Sequence, residues 1–110
     1  MISGTWEPTK VDIDGLEANL HMISEMSKKG KSPWMRIEHP ERQFRQYLGI
    51  MQSGQRLIYV NAFCGLNGDQ PPQNWKNHLV TISDGGSCVW RSIYDPFSKK
   101  FLELSINGLA

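Results

Sequence analysis

The sequence has no apolar run approaching the roughly 20 residues that cross a bilayer as a helix, so no membrane span is expected. It also has almost no excess of charge: 12 Lys and Arg against 11 Asp and Glu leave a net charge of +1. A protein that grips phosphates needs a positive stripe or patch. The only local concentration of cations is Lys28, Lys29 and Lys31. That triplet suits the C-terminal end of a helix, where the dipole favours cations, so nucleic acid is not an expected partner.

Catalytic and metal-binding patterns are missing as well. There is no Gly-x-Ser-x-Gly elbow, no phosphate-binding glycine loop and no His-Glu-x-x-His. The three histidines, His21, His39 and His78, are scattered, and with Cys64 and Cys88 they do not form a standard zinc spacing. No catalytic residue, metal or cofactor is therefore assigned. The N-terminus, MISGTWEPTK, has neither a basic n-region nor an apolar h-region. As written the chain reads as cytoplasmic; a mature exported form without its leader would read the same.

What is present suits one small domain. The chain has 110 residues, 39% hydrophobic and 21% charged, with a mean hydropathy of −0.44. Four Trp, three Tyr and four Phe can fill a core without a metal. Two readings stand for Cys64 and Cys88. They are buried thiols if the chain is cytosolic. In an oxidising compartment they form a disulfide, worth roughly 3 kcal/mol on the chain-entropy account.

Thr9 and Asp12 form a capping pair at a helix start. Ile13, Leu16, Leu20 and Ile23 then mark one helical face, widened by Met22 and Met26, with Gly30 placed to end it. The spacing predicts one amphipathic helix over about 10–29. Lys31 to Pro40, holding Pro33, Trp34 and Pro40, reads as a connector. From Arg42 the period becomes two: Phe44, Gln46, Leu48 and Ile50 share one side, and Arg45, Tyr47, Gly49 and Met51 the other. Ser53-Gly54 followed by Leu57 to Cys64 completes a predicted β-hairpin.

Gly65 to Asn77 reads as a loop ending near Trp75. His78 to Ser83 and Ser87 to Tyr94 have strand character, separated by Asp84-Gly85-Gly86. That glycine pair either turns the chain or bulges one long strand. Its amide groups are also suited to an anion-binding nest. If Cys88, Trp90 and Tyr94 face inward, Arg91 faces out. Asp95-Pro96 and Ser98 to Lys100 form a last turn, and Phe101 to Asn107 a closing strand whose inward face is Leu102, Leu104 and Ile106.

Asp84-Gly85-Gly86, Cys88, Tyr94-Asp95 and the closing Asn107-Gly108-x-Ala110 together resemble a group of small bacterial proteins with no established activity. Trp6-x-Pro8, Leu16-Glu17, Tyr47-x-Gly49-Ile50 and Ile58-x-x-Asn61-Ala62 fit the same resemblance. Many members carry export or lipoprotein leaders. The resemblance implies an exported protein, and with it the Cys64–Cys88 bridge. The strand-turn-strand ending is also similar to small secreted inhibitory or propeptide domains, a likeness of fold alone.

The expected architecture is α+β: one N-terminal amphipathic helix on a four- to five-stranded antiparallel sheet over about 42–108, with the other sheet face open. The expected function is a non-enzymatic protein-binding module, inhibitor-like or immunity-like, with a homodimer through a sheet edge as a further expectation. Its candidate surface is Trp75, Asp84, Gly85, Gly86 and Arg91. The alternative is a small-molecule or anion-binding domain using Asp84, Gly85, Gly86 and Arg91. An enzyme ranks last.

Overall fold

The computed structural model describes residues 2–29, 35–64 and 88–107. In order, these form β1 (Ile2–Trp6), α1 (Lys10–Ala18), α2 (His21–Ser27), a 3-10 turn (Pro40–Arg42), β2 (Phe44–Gln52), β3 (Gln55–Phe63), β4 (Val89–Asp95) and β5 (Lys100–Ile106). The strands form one antiparallel sheet in the order β1-β2-β3-β4-β5. The fold class is thus α+β, as the periodicities indicate. The segments at 30–34, 65–87 and 108–110, with Gly30, Trp34, Trp75, the strand expected at His78 to Ser83, and Gly108 and Ala110, lie outside the described residues.

The helical region differs from the single helix expected over 10–29. Thr9 caps α1 through a full capping box: its hydroxyl accepts the Asp12 N–H, and the Asp12 carboxylate accepts the Thr9 N–H. The helix then breaks at Asn19 and Leu20. There the backbone bonds tighten, with Asn19 N–H donating to Leu16 O and Leu20 N–H to Glu17 O. The Asn19 side chain also donates to Gly15 O at 2.8 Å, a local competition that Asn offers and most helix formers do not. The apolar stripe survives the break, because Leu16, Leu20 and Ile23 are all buried in one cluster.

The sheet starts earlier than expected, at Ile2 rather than near residue 42. β1 has only Ile2 and Trp6 as large apolar residues, so its strand character comes from pairing with β2 rather than from local pattern. Trp6 secures that edge: its indole N–H donates to Ile50 O and Leu57 O, at 3.1 and 2.8 Å, and Arg56 lies over the ring at 5.7 Å. Gly49, opposite Trp6, is required there because any Cβ would collide with the Trp6 carbonyl oxygen.

The β2–β3 hairpin is as expected. Ser53 and Gly54 both have positive φ, 53° and 78°, the pair of conformations that suits a two-residue turn between right-twisted strands. Register then places Tyr47, Gly49 and Arg45 beside Val60, Ile58 and Ala62, and these beside Ser92, Tyr94 and Trp90. This face meets the helices: Leu16, Leu20 and Ile23 cluster with Ile58, Val60, Ala62, Trp90, Tyr94 and Phe101. One expectation about β5 fails. The register shifts between Ile93 and Tyr94, pairing them with Glu103 and Phe101 and leaving Leu102 as the extra residue. The bulge turns Phe101, not Leu102, inward, alongside Leu104 and Ile106.

A polar staple joins α1 to β2 at the border of this core. Arg45 donates from Nε to Tyr47 Oη at 2.7 Å, and from its terminal nitrogens to Glu17 Oε2 and to the carbonyls of Pro40 and Gln43. Tyr47 Oη in turn donates to Glu17 Oε2 at 3.0 Å. Burial pushes the Tyr47 phenol up to about 12, against the pull of the Arg45 cation. These groups satisfy one another, so the cluster reads as structural.

Candidate functional site

Strand alternation gives the sheet a second face made of the intervening residues. Register sorts these into cross-strand rows: toward the Ser53-Gly54 turn Ile50 pairs with Leu57, both buried, and three rows follow beyond them. Phe44, Phe63 and Val89 form the first; Gln46, Asn61, Arg91 and Ser105 the second; Leu48, Tyr59, Ile93 and Glu103 the third. The face is not open throughout, as the sequence reading expected. Asn61, Phe63 and Val89 are buried, and the Phe44 and Phe63 rings stack at 5.9 Å. Leu48, at 43% exposed, and Glu103 and Ser105 reach well into solvent, while Tyr59 and Ile93 are half-buried.

The middle row is polar and tied together. Asn61 Nδ2 donates to Gln46 Oε1 at 2.8 Å, and Arg91 donates to Asn107 Oδ1 at 3.0 Å. Among the described residues, no carboxylate lies within ion-pair distance of Arg91. Its cation is felt next door: burial raises the Tyr59 phenol above its usual range, and Arg91 works against that rise. Beside them a shallow recess of about 260 Å³ is lined by Tyr59, Arg91, Ile93, Glu103 and Ser105. An arginine fork at the edge of an apolar dent can pair with a carboxylate or another small anion.

Of the residues singled out from sequence, Arg91 does lie on this face, opposite to Trp90 and Tyr94, which are fully enclosed on the helix side. Trp75, Asp84, Gly85 and Gly86 lie outside the described residues. Cys64 and Cys88 stand at disulfide distance, with Cα atoms 5.1 Å apart. Cys64 N–H donates to Cys88 O at 2.9 Å, so the pair prolongs the β3–β4 ladder by one step. Sequence reasoning missed Leu48, Tyr59 and Ile93 as companions of Arg91. The two-residue turn at Ser53-Gly54 already carries half of that signal, since it alone fixes Leu48 opposite Tyr59.

Among the described residues no group of three or more His, Cys, Asp or Glu could hold a metal ion. No described helix is long and apolar enough to cross a membrane. Comparison of the chain with protein-family models, with curated proteins and with solved structures finds no match.

Proposed function

We propose that this chain is a non-enzymatic binding protein that engages another protein through the second face of its sheet, as an inhibitor or immunity-type partner would. The observation that carries this reading is the Leu48, Tyr59 and Ile93 row with Arg91 beside it. Aromatic residues and Arg are the types that concentrate binding energy at interfaces. Here they stand on paired strands whose geometry is set before any partner arrives. Export fits the same reading, because a bonded Cys64–Cys88 pair belongs in an oxidising compartment, and the C-terminal motifs resemble those of small bacterial proteins many of which carry export leaders.

The test is site-specific photo-cross-linking in the producing cell, with a benzophenone amino acid in place of Tyr59. One discrete protein adduct, lost when Arg91→Glu is added to the same chain, is expected. No adduct, or an adduct indifferent to Arg91→Glu, would refute the reading.

A second reading rests on the recess itself. Its Arg91 edge and volume of about 260 Å³ suit a small anionic metabolite. In a thermal-shift screen of carboxylates and phosphates, a specific ligand would raise the midpoint by mass action, and Arg91→Met would erase that rise. A flat screen removes this reading and leaves the first untouched.

A further inference from the structure

The end of the sheet away from the Cys64–Cys88 pair carries a second surface, unrelated to the Arg91 face. A cleft of about 440 Å³ opens there between Trp6, Asp12, Gln55, Arg56, Asp95 and Phe97. Phe97 is 94% exposed, more than any other large apolar side chain among the described residues. A lone exposed Phe is unremarkable on most surfaces. This one differs because the turn beneath it is fixed. Asp95 Oδ1 accepts the Phe97 N–H at 2.9 Å, Lys99 N–H donates to Asp95 O at 2.8 Å, and Lys99 closes the turn at φ 59°. The ring is thus presented on an ordered backbone, and little ordering remains to be done on binding.

Charge and shape then indicate what it meets. The turn that raises Phe97 continues into Lys99 and Lys100, while the cleft beside it is walled by the carboxylates of Asp12 and Asp95 and by one cation, Arg56, which lies over the Trp6 ring. A projecting ring with two cations and a hollow in which two carboxylates outnumber one guanidinium lie side by side. A surface of that kind is complementary to its own copy under a two-fold rotation. We propose that two copies of this chain associate isologously through this end. Phe97 of each enters the cleft beside Trp6 of the other, and Lys99 and Lys100 of each face Asp12 and Asp95 of the other. The contact is small, so the dimer is weak and concentration-dependent.

Sedimentation equilibrium from micromolar to near-millimolar chain, in oxidising buffer, tests this. A monomer–dimer equilibrium is expected for the unaltered protein. Phe97→Ser removes two rings per dimer and raises the dissociation constant by roughly 100-fold. Lys100→Glu weakens association too, and so does added salt. Both sites are exposed, and an unchanged thermal midpoint for each dilute variant confirms that the fold is intact. A chain that is monomeric throughout, or a dimer insensitive to Phe97→Ser, overturns the proposal. So does a monomer that binds anionic phospholipid vesicles through Phe97, which would assign the same ring and lysines to a membrane surface.

Discussion

The two faces of the sheet are built from alternate residues of the same strands, yet they are organised on different principles. On the helix side Ile58, Val60, Ala62, Trp90 and Tyr94 are all fully enclosed, and the polar staple of Glu17, Arg45 and Tyr47 sits at the border. On the other side a polar row runs from Gln46 to Ser105, with a largely enclosed apolar row on one flank, a half-open one on the other, and the buried Ile50–Leu57 pair beyond that. The first arrangement maximises the area taken from water, which is what stabilises a small domain. The second keeps a cation accessible beside apolar side chains, which does little for stability and much for recognition. One face is closed by the helices, and the other is open only in part, around Leu48.

The sharpest way to break that comparison is to truncate one large residue on each face. Trp90→Ala should cost about 3–5 kcal/mol of unfolding free energy, because it opens a cavity under α1 and α2. Leu48→Ala should cost under about 1 kcal/mol, because its side chain is already half in water. Urea unfolding followed by fluorescence compares them; equal losses would mean that the second face is also core. The Cys64–Cys88 pair comes next, since it binds the strand ends that both faces share. Replacing both with Ser should cost roughly 3 kcal/mol, the loop-closure term for 24 residues. Native protein treated with a thiol reagent should show no free thiol until reductant is added.

A smaller effect tests the border of the helix side. Arg45→Lys keeps the charge but loses the fork that reaches Tyr47, Glu17 and two carbonyls, and should cost about 1–2 kcal/mol. The same staple has a pH signature. Burial lifts the Tyr47 phenol from 10.0 to about 12, so between these values the folded chain holds a proton that the unfolded chain has released. Stability is therefore full below about pH 10 and falls as pH rises through about 12. Burial raises Tyr59 and Tyr94 as well, so Tyr47→Phe should flatten the alkaline loss without abolishing it.

The helix side was the more legible face in the sequence. The stripe of Leu16, Leu20 and Ile23, the Thr9 cap and the β2–β3 hairpin all follow from spacing and turn chemistry, which are local. β1 was not legible, because ISGTW has weak local pattern and owes its place to Gly49 and to the Trp6 bonds with Ile50 and Leu57. The Leu102 bulge was hidden for the same reason: a one-residue shift in pairing leaves no local mark, yet it exchanges which side chain is buried. Of the site, Arg91 could be placed by alternation alone. Ile93, two residues on in the same strand, follows from that alternation as well, but Tyr59 does not, since it joins them only through pairing of β3 with β4 across a long intervening segment.

The finest test probes how tightly the helix side is closed. Tyr94 is wholly enclosed and its hydroxyl has no hydrogen-bond partner among the described residues. A Cβ added at Gly15 would stand 3.3 Å from that oxygen. Gly15→Ala therefore sets a gain of about 1 kcal/mol in helix propensity against a squeeze on an atom with no room to retreat. Alone it should be close to neutral. Tyr94→Phe should also be close to neutral, or slightly stabilising, because it removes a buried group that bonds to nothing. Combined, the two should stabilise by about 1 kcal/mol more than their sum, since the phenyl edge leaves the new methyl free. A double-mutant cycle by chemical denaturation measures that coupling. If Gly15→Ala gives its full gain with Tyr94 intact, the contact is slack and the helix face is less closely packed than its burial implies.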